Sequence, residues 1–261
     1  MHPTKLHYLN INIQNSLEMN PHSTEPSITK ETTVGEIVAN NYLAAEIFTK
    51  YGIDFCCGGG ISLQKASEKS ALQSDRLISE LNQIGKKEAG LNQNFAAWEI
   101  DYLIKHIIQT HHRFVRIKTE EISLYAKKVA QVYGEQYPEN ITISENFESL
   151  SAELMQHLLD EENIVFPLIS EIAAKRKSGQ EVPSDLVEKL QNELIHMVSD
   201  HDGAGQAIKE IRELSNQFTP PSDACTTYRI LYKNLELFEE DLHMHVHLEN
   251  NILFKKAEQY I

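Results

Sequence analysis

Cysteine is scarce: three in 261 residues, two of them adjacent at Cys56 and Cys57. That number cannot build a disulfide framework and fits a reducing compartment. No segment approaches the roughly 20 consecutive apolar residues of a membrane span, and no apolar run of about 7–15 residues follows a basic start at the N-terminus. The chain therefore reads as cytoplasmic, with no membrane partner. Positive charge is also short, because 24 Lys and Arg face 38 Asp and Glu, a formal net charge of −14. Such a surface repels phosphate backbones, which argues against nucleic acid, and it suits a metal cation. Period-two alternation is missing too, so no strand pattern competes with the helical period.

What is present divides by texture. Residues 1–28 are polar, carry Pro21 and Pro26 and lack periodicity, the pattern of a disordered extension. Residues 29–84 read as a small helical domain. "TVGE" at Thr33–Glu36 is a capping box that starts a helix running to Gly52, the turn "DFCCGGG" follows, and "SLQKASEK" and "SDRLISELNQ" give two more helical stretches. Residues 85–94 form a polar linker. Residues 95–261 read as four long helices, broken near 134–140, 179–184 and 219–222, with Gly or Pro at each break. The fold class is all-α: an antiparallel four-helix bundle with a small N-terminal helical domain.

The bundle contains an internal repeat. "HLLDEENIVF" in the second helix and "HVHLENNILF" in the fourth share His-x-x-x-Glu-x-Asn-Ile-[Val/Leu]-Phe at an offset of 88 residues. The first and third helices correspond through His112 and His201, 89 residues apart. In the fourth helix, Leu231, Leu235, Phe238, Leu242, His245, Glu249 and Ile252 step by fours and threes, the core-facing seam of a bundle helix. Phe147, Leu150, Leu154, His157, Glu161, Ile164 and Leu168 do the same in the second. The third places His201 among Leu194, Val198 and Ile208. The first helix leaves His111 and His112 as alternatives, between which the repeat offset favours His112.

A carboxylate buried without a counter-charge costs several kcal/mol. No Lys or Arg shares these seams. His157 with Glu161 and His245 with Glu249 stand one turn apart on one helix face, so each pair can ligate a metal. With His112 and His201 they supply six ligands, enough for a dinuclear centre. Four imidazoles and two carboxylates without thiolate favour iron or manganese over structural zinc. Glu153 and Asp200 are candidates to orient these ligands. His106, His111, His196, His243 and His247 read as surface or supporting residues, and Cys225 as a packing residue. Cys56 and Cys57, in a glycine-rich turn that exposes thiolate, read as a redox or iron-handling pair.

"YGIDFCCGG" in a short helical domain, followed by "HLLDEENIVFP", "SDHDGAG", "TPPSDACTTY" and "HVHLENNILF", closely resembles the RIC family, the hemerythrin-like di-iron proteins for repair of iron centres. The resemblance spans about residues 29–261. It implies two non-haem irons with an oxo bridge, held by His112, His157, Glu161, His201, His245 and Glu249, with both glutamates bridging. It also implies a stress protein that restores iron–sulfur clusters damaged by nitric oxide or peroxide, by iron donation. The alternatives are a di-iron reductase of nitric oxide or oxygen, and a non-catalytic sensor or carrier of diatomic molecules. Expected partners are damaged iron–sulfur proteins or a cluster-assembly scaffold, with the small domain either docked on its own bundle or joining a homodimer. Oxygen-carrying hemerythrins differ by a His-x-x-x-His in the third helix, where this chain has Gly205 four residues after His201.

Overall fold

The computed structural model describes residues 28–87 and 94–261. The expected disordered extension, except its last residue, and most of the expected linker lie outside that range. Among the described residues the fold is all-α, and the only extended pairing is an isolated antiparallel bridge between Thr33 and Ser62.

Four helices form the small domain: α1 (Val34–Asn40), α2 (Ala44–Lys50), α3 (Leu63–Lys69) and α4 (Ser74–Lys87). The capping box forms as the sequence implies, since Thr33 Oγ1 accepts the Glu36 N–H and the Glu36 carboxylate accepts the Thr33 N–H. The single helix expected from there to Gly52 is instead two. Asn41 takes an extended conformation and its side chain accepts the Leu43 N–H, a local bond that competes with the helix. Gly52, at φ +63°, ends the second piece in the left-handed region. At the far end, α4 continues through Lys87, three residues into the passage expected to be linker.

A short 3₁₀ turn at Phe95–Ala97 leads into the bundle. The first rod, α5, joins Ile100–Ile107, a wide π turn at Ile108–His112, and Arg113–Tyr133. The second, α6, joins Glu139–Asp160, a π turn at Glu161–Val165, and Phe166–Lys177. The third, α7, is Ser184–Leu214. The fourth, α8, joins Thr226–Leu248, a π turn at Glu249–Leu253, and Phe254–Glu258. The break between α7 and α8 is longer than expected, because Asn216, Gln217 and Phe218 adopt left-handed φ values of 50°, 57° and 55°. Ser215 Oγ accepts the Phe218 N–H and the Arg212 guanidinium lies over the Phe218 ring, which together hold that turn.

The core is split in two. One apolar cluster runs through Ile122, Phe147, Leu150, Phe238 and Leu242 and takes in Val34, Phe48 and Phe55 of the small domain. The other runs through Leu103, Ile107, Ile169, Leu190 and Ile252. A layer of buried histidine and glutamate separates them. The small domain docks on its own bundle beside that layer.

Candidate metal centre

The seams expected in α6 and α8 face inward, with Ile164 alone only half-buried. In α7 the stripe is corrected by one position. Val198 is 40% exposed, and Met197, one position earlier and nearer the Leu190–Leu194–His201 face, is buried instead. The structure brings His112, His157, Glu161, His201, His245 and Glu249 together between the two core clusters, all buried and both glutamates fully so.

Their donor atoms form two overlapping groups. His112, Glu161, His245 and Glu249 make one, His157, Glu161, His201 and Glu249 the other, with every donor atom of a group within 4.8 Å of the rest. The glutamates belong to both. Every histidine presents Nε2: His112 stands 3.3 Å from Glu161, His157 3.4 Å from Glu161, His201 3.2 Å from Glu249 and His245 3.0 Å from Glu249. His157 Nε2 and His201 Nε2 are 3.0 Å apart. Three of the four rods widen into π turns here. The turns in α6 and α8 begin at Glu161 and Glu249, and the one in α5 ends at His112. Such turns re-aim side chains that a regular helix would splay around its axis.

Outer bonds fix three of the four imidazoles. Nδ1 of His112 lies 2.7 Å from Glu162, which Arg116 also engages at 3.0 Å. Nδ1 of His157 lies 3.2 Å from Asp200, and Nδ1 of His201 lies 2.9 Å from Asn250. A ligating histidine is usually anchored in this way through its other nitrogen. Asp200 is thus where its proposed orienting role requires. Glu153 is not, because it is exposed and accepts a bond from Ser149. Glu162 and Asn250 are absent from the sequence reading. Each sits directly after a repeat glutamate, where the seam count turns outward, and each reaches sideways to a histidine of a neighbouring helix. His111 and His247, expected to be surface or supporting, are buried. His111 bonds Asp241 at 3.0 Å, and His247 Nδ1 lies 3.3 Å from the Phe55 carbonyl. Cys225, read as a packing residue, is exposed.

The residues fit a metal. His112 Nε2, both oxygens of Glu161 and Oε2 of Glu249 are buried without a hydrogen-bond partner, and among the described residues no Lys or Arg pairs with either glutamate. Without a cation, protons must balance the carboxylates. Burial opposes charge on His112, but the Glu161 and Glu249 carboxylates facing its Nε2 outweigh it and lift its pKa to about 10. His157 rises to about 9 against the same burial, chiefly through the charge of Glu161. Burial pushes both glutamates up, yet the surrounding imidazoles hold Glu161 below the usual carboxylate range and Glu249 well below it.

The Cys56–Cys57 turn rests on the bundle beside this layer. Asn251 donates to the carbonyls of Phe55 (3.3 Å) and Cys56 (2.8 Å), and the Cys57 thiol lies 3.6 Å from the His201 carbonyl. Gly35 and Gly59 make room for Asn251, since a Cβ on either would come within 2.4 or 2.8 Å of its Oδ1. The turn does not display two thiolates, which corrects the exposure expected there. Cys56 is buried, and its bond to Cys57 together with that burial pushes its thiol well above the ordinary range, while Cys57 is half-buried. Asp54, Cys56 and Cys57 still form a third group of close donor atoms. They open on a cleft of about 490 Å³ between the domains, whose other walls include Asp202, Gly205 and Arg212.

Residues 103–257 match the hemerythrin HHE cation binding domain, and residues 30–85 match the ScdA N-terminal domain, described as a domain of unknown function. The iron-sulfur cluster repair protein ScdA of Staphylococcus haemolyticus is 36% identical over 231 residues, 88% of this chain and 99% of the relative. This chain belongs to the iron-sulfur cluster repair protein family. Other members are a probable iron-sulfur cluster repair protein of Haemophilus influenzae, 34% identical over 82% of this chain and 91% of its own length, and YtfE of Cronobacter sakazakii, 32% identical over 87% and 96%. Family membership and the two His/Glu groups point alike to iron. No described helix is long and apolar enough to cross a membrane.

Proposed function

We propose that this protein repairs damaged iron–sulfur clusters by donating iron from a centre of two non-haem irons joined by an oxo group. His112 and His245 would hold one iron, His157 and His201 the other, with Glu161 and Glu249 shared by both. The observation that carries the reading is that two fully buried carboxylates are common to both donor groups and, among the described residues, have no Lys or Arg to balance them. Bound iron would supply that charge, along with redox chemistry and open coordination positions. Glu162, Asp200 and Asn250 orient three of the four imidazoles.

Donation is favoured over turnover by the neighbouring cleft. Asp54, Cys56 and Cys57 offer a second, more accessible donor set against the His201 backbone, a resting place for an ion leaving the bundle toward a damaged iron–sulfur protein or an assembly scaffold. Cys56 is held as a thiol, so an arriving metal must displace its proton.

Elemental analysis of the parent beside a Glu161→Leu, Glu249→Leu variant tests the centre, with about two irons per chain expected in the parent and few in the variant. Repair is tested on an oxidised cluster enzyme. Holoprotein should restore activity, and a Cys56→Ser, Cys57→Ser variant should keep its bundle iron while losing repair. Recovery no better than with free iron would defeat donation, and product formed from nitric oxide under anaerobic single turnover would favour a reductase.

A further inference from the structure

Each imidazole of the centre has ring neighbours, but they differ in where they lead. His112 stacks on Phe166 and His201 on Phe254, both buried rings. His245 instead lies parallel to His111, with ring centroids 5.6 Å apart and planes 8° apart. From His111 the contacts continue edge-to-face to His106 at 5.6 Å, from His106 to Trp98 at 5.0 Å, and from Trp98 to Tyr102 at 4.7 Å. Tyr102 is 58% exposed, and Trp98 is the chain's one tryptophan. Five rings, three of them histidines, thus connect the buried centre to the surface without a saturated gap and end on Trp98 and Tyr102.

We infer that His245, His111, His106, Trp98 and Tyr102 form an electron route through which a one-electron donor at the surface reduces the centre. The inference rests on the iron reading above and deepens it, because ferric iron must be reduced to ferrous before hard carboxylate ligands release it readily. In each passage the donor loses one electron and one iron goes from ferric to ferrous. The rings mediate and end unchanged. Glu99 and Asp101 flank the outlet and Lys105 lies one turn on, so the donor reads a small aromatic edge among mixed charges.

The test uses the full iron-loaded chain in its diferric form and flavodoxin hydroquinone as the donor, a protein too bulky to enter the inter-domain cleft. Stopped-flow bleaching of the ferric absorption reports electron arrival. Trp98→Leu and His106→Leu should each slow reduction several-fold. Trp98→Phe, which keeps a ring in place, should recover most of the rate, and Tyr125→Leu, off the route, should match the parent. Iron content and thermal melting are measured on every variant. Equal rates in equally loaded, equally folded Trp98→Leu, His106→Leu and parent proteins would overturn the route while leaving the iron centre standing. A parent that takes up no iron under anaerobic ferrous loading would overturn the centre and the route together.

Discussion

Replacing both buried glutamates separates what the centre does for metal from what it does for the fold. In the metal-free chain Glu161 and Glu249 are fully buried, find no Lys or Arg among the described residues, and are balanced only by protonated imidazoles. Exchanging a buried ion cluster for apolar groups of similar volume is typically neutral or stabilising by about 1–4 kcal/mol. Leucine is close to glutamate in size. With both carboxylates gone, His112 and His157 lose most of what raises their pKa, Glu162 and Asp200 staying at their Nδ1 atoms, and burial then favours the neutral imidazoles. The metal-free Glu161→Leu, Glu249→Leu variant is therefore expected to melt above the metal-free parent, by roughly 2–4 °C for each kcal/mol gained. Iron should reverse the order. At a free concentration about 100 times Kd it adds about 2.7 kcal/mol to the parent and nothing to a variant that cannot bind it. The assay is thermal unfolding by circular dichroism at pH 8, after chelation and again after anaerobic ferrous loading. A chelated variant that melts below the chelated parent would show that the glutamates support the fold itself, and the reasoning from buried charge would fail.

Metal-free protein should lose stability as pH rises. His112 and His157 have folded values of about 10 and 9 against an ordinary 6.5, so their contribution is complete below about 6.5 and is lost through 9 and 10, at up to about 1.4 kcal/mol per pH unit for each group; chelated melts that rise between pH 7 and 9.5 would contradict this. Asn250→Ala removes the acceptor that orients His201 and should weaken iron binding about 10–100-fold in a chelator competition, with little change in the metal-free melt. Gly35→Ala drives a methyl to 2.4 Å from Asn251 Oδ1 and should cost about 1–3 kcal/mol. Its signature is faster hydrogen exchange at residues 55–59, with protection of the bundle helices kept.

Much of this architecture is legible in the sequence because a bundle seam is a one-dimensional pattern. Leu231 through Ile252 alternates by fours and threes, and a histidine and a glutamate inside that count can only point where leucines point. The same count slips at Ile164, inside the π turn of α6, although Ile252 in the matching turn of α8 stays buried. Counting assumes 3.6 residues per turn, whereas α5, α6 and α8 each take in a π turn at the centre, and no residue type announces one. The single helix read from Val34 to Tyr51 failed for a local reason, since nothing in its spacing weighed the Asn41 side chain against the next helical bond. In α7 the rotation per residue already sets Met197 nearer the Leu190–Leu194–His201 face than Val198, and the structure buries Met197.

Glu162 and Asn250 mark a different limit. Their work is done across helices, on His112 and His201, and pairing across helices depends on rotation and depth that a single strip of sequence does not encode. The cysteine turn makes the same point in reverse. A glycine-rich loop with two thiols reads as open, but its backbone carbonyls are claimed by Asn251, a residue 195 positions from Cys56. Asn251 belongs to the same repeat motif that carries Glu249. Its counterpart Asn163 instead bonds the Leu159 carbonyl of its own helix, on a face no small domain covers. One half of the repeat thus holds its asparagine on the helix surface, while the other uses it as the latch that seats the Cys56–Cys57 turn against His201.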